Sequence, residues 1–210
     1  KKSGEIKNGQ FFVAIVGASQ YTYAEASMSQ QKEDFVRSVE NAMHYFQGVP
    51  AAIVPDNLKS AVTKSSRFEP TINETFADFA DHYGATILPA RAYKPRDKSL
   101  VEGAVKILYH RIYAHLKENS FYSLAELNHQ IWDLLKMHND RKLTARPYSR
   151  KELFLEDEKE KLRPLPEARF ELKYQSHATV MQNGHVLLSQ DKNYYSVPYQ
   201  YLKKKVKLLY

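Results

Sequence analysis

The sequence predicts an α/β fold, a mixed sheet with helices on its faces, followed by a small all-β barrel. Three observations carry that prediction. Up to residue 138, short apolar runs rich in β-formers alternate with longer stretches whose apolar residues recur every three or four positions. Near residue 140 the composition turns polar and basic. Beyond residue 168, short alternating runs follow one another, separated by the turn signals Asn183-Gly184 and Asp191-Lys192-Asn193. The expected organisation is a core over 1–138, a linker with one short helix over 139–167 and a barrel over 168–210.

Taken in order, residues 11–16 form a continuous apolar run closed by Gly17, as for a strand buried on both faces. Residues 21–26 follow after a gap rich in small residues, so the two runs read as a hairpin. Ser29 can cap a helix over about 30–46, with Phe35, Val39, Ala42, Met43 and Phe46 on one face and Gly48 and Pro50 stopping it. Residues 51–54 make a short buried strand that ends in Pro55-Asp56-Asn57. A second helix, 71–83, turns Ile72, Phe76, Phe79, Ala80 and Tyr83 inward and ends at Gly84, and 86–89 is the next strand. After the basic loop 91–98 a long helix over 99–117 has the stripe Val101, Val105, Leu108, Ile112 and Leu116. The core's last helix, 123–138, starts with Ser123 and Glu126 in a capping-box spacing.

Residues 139–150 are polar with one proline, and 148–155 suits a short helix. The charge run 156–161 reads as a solvated face or a tether. Strands of the barrel are expected at 170–174, 178–181, 186–188, 194–197 and 206–210.

Composition narrows the function. At 43% hydrophobic and 26% charged residues, the 210-residue chain is not a disordered, collagenous or coiled-coil sequence. No apolar run reaches the ~18 residues of a membrane span, and residues 1–7 lack a secretion-signal design. The absence of cysteine excludes disulfides, thiolate metal sites and cysteine nucleophiles, and fits a reducing compartment. With 31 Lys and Arg against 24 Asp and Glu, the net charge of +7 favours a polyanionic partner. The histidines form no H-E-x-x-H pair, and neither a phosphate-binding glycine loop nor a G-x-S-x-G elbow is present.

Two acids have positions that suit chemistry. Asp56 follows the end of a buried strand, and Glu102 lies one turn into a helix that follows another; in open α/β sheets that edge is where ligands bind. Two carboxylates in one crevice could hold a divalent cation through hard oxygen ligands. An N-capping Asp and a surface Glu explain the same residues, so composition and spacing leave both readings open. Around the acids, Arg91, Lys94, Arg96, Lys98 and Lys106 face only Asp97 and Glu102 as opposite charges. Lys106 is four residues after Glu102 on one helix face, either as an ion pair with it or as a phosphate contact. At the end of the chain, Lys203, Lys205 and Lys207 alternate on a strand, for DNA backbone binding or for solubility.

The residues resemble a known family. The stretch 12–23 (FVAIVGASQYTY), Gly48-Val49-Pro50 with 53–62 (IVPDNLKSAV), 88–91 (LPAR) with 94–106 (KPRDKSLVEGAVK), 145–150 (ARPYSR) and 191–199 (DKNYYSVPY) are similar to IstA-type insertion-sequence transposases. The resemblance covers nearly the whole chain. It implies a ribonuclease-H-like integrase core followed by a Mu-type barrel, and D-D-E chemistry in which Asp56 is the second acid and Glu102 the third. The two are 46 positions apart. It further implies magnesium or manganese in a two-metal site, DNA end cleavage and strand transfer, Lys106 on a DNA phosphate, and Asn57 and Lys59 in support. Lys94, Arg96 and Lys98 would join the DNA surface.

The family's first acid precedes a segment like 1–10, so the resemblance places it upstream of Lys1 and makes the 210-residue chain inactive in strand transfer by itself. It also implies a homo-oligomer on paired transposon ends, an AAA+ ATPase helper and a bacterial cytoplasmic, nucleoid-associated location. The rival reading is a non-catalytic DNA-binding or assembly module in which the acids only cap and bridge.

Overall fold

The structure, a computed structural model, describes residues 7–55, 62–64, 71–88 and 99–210. Residues up to Phe170 make one unit and Glu171–Tyr210 a second. In the first unit, β1 (Gln10–Ile15) and β2 (Thr22–Ser27) form the expected antiparallel hairpin, with Ile15 opposite Thr22. Burial is the reverse of what the apolar run predicts. β2 is buried from Thr22 to Ala26, whereas β1 is only half-buried and Phe11 is exposed. β2 earns its burial because helices α1 (Lys32–Phe46) and α5 (Leu124–Asp140) both pack on it. Tyr21, Tyr23, Ala24, Ala26, Ala42, Phe46, Leu108, Ile112, Ile131, Leu135 and Phe154 are the buried centre of the resulting core.

α1 begins two residues later than predicted. Ser29 does not cap it; its hydroxyl donates to Asp34 at 2.5 Å and accepts from the backbone of Gln31. At its far end Gln47, not a glycine, takes the left-handed turn with φ 57°. Gly48 is needed for another reason: a Cβ there would lie 2.6 Å from Leu162 Cβ.

A parallel pair follows. β3 (Ala52–Ile53) lies beside β6 (Thr86–Ile87), and the Leu88 amide extends the ladder by donating to the Ile53 carbonyl. Between them, β4 (Val62–Lys64) and β5 (Thr71–Ile72) pair antiparallel, so residues 71 and 72 are strand, not helix. α2 (Glu74–Tyr83) starts at Asn73, whose side chain accepts from Thr75 N, an N-cap that the helix pattern had hidden.

The long helix predicted over 99–117 is interrupted. α3 (Ser99–Leu108) passes through a π-helical turn, Tyr109–Tyr113, into the short α4 (Ala114–Leu116). The buried positions are Ala104, Leu108, Ile112 and Leu116, and Val105 is exposed. A strict four-residue spacing drifts around an α-helix, and a widened π turn keeps Leu108, Ile112 and Leu116 on the core side.

Residues 139–167, expected as linker and tether, and 168–170, expected in the barrel, pack as part of the first unit. α6 (Arg150–Leu153) opens with a full capping box between Ser149 and Glu152. The Glu158 carboxylate then accepts from the amides of Ala18 and Ser19 at 2.8 and 3.1 Å, fixing the hairpin turn. Lys159 Nζ donates to the Phe46 and Gln47 carbonyls and to Gln47 Oε1, which closes the C-terminus of α1. Arg163 exchanges two backbone hydrogen bonds with Val49, and its guanidinium donates to the Gly84 carbonyl at 2.6 Å. Buried Glu40 accepts from Tyr83 Oη and from the Phe170 amide, ending the strap. Two members of the charge run, Glu158 and Lys159, have therefore become caps, because their head groups reach backbone ends that would otherwise be unpaired, while Glu156, Asp157, Glu160 and Lys161 stay exposed.

In the second unit, β7 (Gln175–Thr179) pairs antiparallel with β10 (Lys205–Leu209), and β8 (His185–Leu188) with β9 (Asn193–Ser196). Val180, Val186 and Leu188 are its buried residues. Residues 170–173, expected as a strand, are outside any ladder; pairing starts with reciprocal bonds between Tyr174 and Tyr210.

Candidate active site

The parallel pairing of β3 and β6 makes their C-terminal ends leave the same edge. From β3 the chain passes through Val54 and buried Pro55 directly to Asp56; from β6, α3 is the next described helix. Asp56, Asn57, Lys59, Lys94, Arg96 and Lys98 lie outside the described residues. Glu102 is in the first turn of α3 and Lys106 one turn later, and both are exposed. Neither is ion-paired to the other, nor does Glu102 accept a hydrogen bond among the described residues. The helix pair predicted as a possible salt bridge is thus two separate charged groups.

A free carboxylate at a helix N-terminus benefits from the helix dipole without having its oxygens occupied. Such oxygens suit a hard divalent cation. Among the described residues no group of three or more His, Asp or Glu could hold a metal. Glu102 alone therefore needs acids from outside them.

Lys205 and Lys207 alternate with Val206 and Leu208 along β10, their side chains exposed and opposite Thr179 and His177. Lys203 is exposed in the preceding turn, at φ 61°. The strand placement follows the sequence pattern, and these lysines belong to the second unit.

Sequence reasoning missed the asparagines of α5. Asn128 accepts from the Ala26 amide at 2.6 Å and donates to the Ala26 carbonyl at 3.0 Å. Asn139 does the same for Thr22, at 3.1 and 2.7 Å, and also donates to Tyr45 Oη. Two side-chain amides thereby replace a strand along the outer edge of β2. The available signal was the presence of helix-disfavouring Asn inside an otherwise well-formed helix. Polar core pairs add to the frame: Tyr23 Oη donates to buried Glu25 at 2.6 Å, and burial first, then Glu25, raises the phenol pKa.

No family model matches the chain. A provisionally named transposase of Sinorhizobium fredii is 47% identical over 198 residues, covering 94% of this chain and 38% of that protein. A provisionally named transposase for insertion sequence IS408 of Burkholderia multivorans is 38% identical over 195 residues, or 93% and 37% of the two chains. The transposase for insertion sequence element IS21 of Pseudomonas aeruginosa is 29% identical over 192 residues, or 90% and 47%. Over at least nine-tenths of its length the chain is homologous to insertion-sequence transposases of the IS21/IstA type.

The chain spans less than half the length of these curated relatives. A chain of the simian T-cell lymphotropic virus intasome in complex with PP2A regulatory subunit B56 gamma matches 95% of it at TM-score 0.59 and 17% identity, over 73% of the viral chain. The catalytic core domain of BIV integrase matches 73% of it at TM-score 0.55 and 16% identity, over 90% of that domain. At such identities the likeness is one of fold: an integrase-core α/β architecture. No helix among the described residues is long and apolar enough to cross a membrane.

Proposed function

We propose that this chain supplies the catalytic core of a DNA transposase that cuts transposon ends and joins them to target DNA. The observation that carries the proposal is Glu102, without a partner among the described residues, on the described helix that follows β6, whose parallel partner β3 leads in sequence to Asp56.

In this reading Asp56 and Glu102 hold magnesium or manganese. When bound, the cations supply charge stabilisation for the attacking and leaving oxygens of a phosphodiester. Both acids serve as ligands, with Asn57 and Lys59 beside them. Lys106, one turn along α3, orients the DNA by a phosphate contact, and Lys94, Arg96 and Lys98 extend that surface. A two-metal site needs a further bridging carboxylate, which the family pattern assigns to a strand upstream of Lys1. The second unit acts as a small barrel whose Lys203, Lys205 and Lys207 bind DNA backbone. Assembly as a homo-oligomer on paired ends, with an AAA+ ATPase helper, in the bacterial cytoplasm completes the proposal.

The test compares this 210-residue chain with a chain extended upstream, in strand transfer with pre-cut ends and in calorimetric metal binding. The extended chain should join DNA, and Asp56→Asn and Glu102→Gln should each abolish joining while the gel shift and melting curve stay as they are. The 210-residue chain should not join. Joining by either mutant would remove these acids from the site, and a wholly non-catalytic DNA-binding module would be left if no extended chain joined at all.

A further inference from the structure

The end of α5 carries a cluster of cations that neither the fold nor the proposed DNA-joining site employs. His138, in the last turn of α5, is 4% exposed, and Arg150, the first residue of α6, is 5% exposed. A hydrogen bond from Leu143 to Tyr148 and the bridge between Lys142 and Ser149 fold the intervening loop back, which returns Arg150 to the end of α5. Arg111 comes from the π-helical turn and donates from Nη1 to Nδ1 of His138 at 3.3 Å. A guanidinium only donates, so Nδ1 carries a lone pair and the imidazole is neutral with its proton on Nε2. Arg141, the residue that ends α5, and Arg150 both act on the same ring through their charges.

One guanidinium therefore touches an uncharged histidine, and two more lie on the elements that meet there, Arg141 at the end of α5 and Arg150 at the start of α6, which packs on α5. Among the described residues, none of their side chains donates to a carboxylate or a carbonyl. The nearest acids in sequence are occupied: Asp140 pairs with Lys151 at 3.5 Å, and Glu152 accepts the Ser149 amide at 2.6 Å in the capping box. The carbonyl end of α5 contributes only a diffuse partial charge. It does not balance three cations, and the fields of Arg111 and Arg150 oppose each other. Arg150 is buried as a residue, but its unpaired guanidinium nitrogens are not sealed from solvent, so an oxyanion that reaches them and offsets the clustered positive charge would be bound with gain.

We propose that Arg111, Arg141 and Arg150 form a seat for one phosphate-class oxyanion, supplied by the backbone of DNA or by free phosphate. Arginine suits this ligand because its planar fork donates in pairs to phosphate oxygens and stays charged at every relevant pH. Arg150 is buried, Arg111 half-buried and Arg141 exposed. The DNA source rests on the functional reading above; the oxyanion seat does not.

The test uses the whole 210-residue chain in buffer free of phosphate and sulfate. Inorganic phosphate is titrated while the imidazole nitrogens of His138 are followed by NMR, and the affinity for a labelled DNA duplex is measured by anisotropy against salt. Arg111→Gln and Arg141→Gln, neither of them buried, are made singly and together, with a melting curve for each; Arg150→Lys is the conservative third variant. Phosphate should shift the His138 signals saturably in the parent chain and at least about tenfold more weakly in the double variant, whose log–log salt slope for DNA should shrink by about 1. A lost phosphate response with unchanged DNA affinity would keep the seat and identify its ligand as free phosphate. A parent chain that binds phosphate here but no DNA would sink the DNA reading and leave the seat. No saturable response in the parent chain, with an unchanged DNA slope in the double variant, overturns the seat itself.

Discussion

Along α5, the side that meets β2 and the end that meets α6 treat polar groups in opposite ways. Facing the strand, Asn128 and Asn139 each exchange two hydrogen bonds with one residue of β2, and the edge is left with its backbone satisfied at both points. At the C-terminal end, Arg111, Arg141 and Arg150 gather on the elements that meet at His138, with one hydrogen bond, from Arg111, to the ring. The first arrangement is accounted for by the fold. The second is not, and neither is the carboxylate of Glu102, which has no partner among the described residues.

The largest expected effect breaks the satisfied side. Asn139→Ala would strand the buried amide and carbonyl of Thr22 and remove a partner of Tyr45, at a cost of about 4 kcal/mol. Arg141→Gln, a short way along the chain and exposed, should change stability by less than about 0.5 kcal/mol. Urea denaturation of the two variants measures the contrast, and equal losses would mean that the arginine is as structural as the asparagine.

Acid should sharpen the same comparison. Burial first, then Arg150, Arg111 and Arg141, push the His138 pKa down from 6.5 to about 3. Between those values the unfolded chain binds a proton that the folded chain refuses, so stability falls as pH drops from 6.5 toward about 3, at up to ~1.4 kcal/mol per pH unit. His138→Asn keeps an acceptor for Arg111 but cannot titrate. The stability difference between parent and variant should therefore depend on pH across that window and level off above it, in phosphate-free buffer. Parallel curves would show that the ring is not held neutral by its surroundings.

How far the fold could be read depended on whether a residue's partner was local. The hairpin, α1, α2 and α5 were visible because apolar periodicity is a property of neighbouring residues, and so were the Asn183-Gly184 turn and the Ser123 cap, whose hydroxyl accepts from Glu126 N. Glu158 and Lys159 were misread because their partners lie about 140 and 110 residues away in the chain. A mixed charge run has no local pattern that distinguishes a cap from a solvated face. The π turn was missed for a related reason: the stripe Leu108, Ile112 and Leu116 was correct, but Ala104 is too small to announce itself as the buried residue before it. For the candidate site, Glu102 and Lys106 fell on the helix where the sequence put them. Arg111 and Arg150 carried no signal, since only the returned loop brings them to one histidine.

The strap 154–170 tests whether the misread charges matter as the fold requires. Gly48→Ala would press a methyl group against Leu162 Cβ and the Arg163 carbonyl and should cost about 2 kcal/mol. Glu158→Gln leaves a neutral amide on the Ala18 and Ser19 amides and should cost about 1 kcal/mol. Melting curves at neutral pH check both, and a neutral Glu158→Gln would return the charge run to the solvated role that its composition suggests.

The smallest effect is expected at the residue with the largest proposed role. Glu102 is exposed, accepts no hydrogen bond among the described residues and has no ion pair with Lys106. Replacing it by Gln removes one negative charge from the first turn of α3, where the helix dipole favours such a charge by about 0.3–1 kcal/mol at low ionic strength. Salt screens that term, so at moderate salt Glu102→Gln should melt within about 0.5 kcal/mol of the parent. In the absence of divalent cation the two chains should therefore be hard to tell apart. Adding magnesium or manganese to the upstream-extended chain should separate them, because a cation held by the folded site raises the stability of the parent and not of the variant. Equal shifts in both would mean that Glu102 holds no cation, while a large loss without cation would mean that its carboxylate has a structural partner after all.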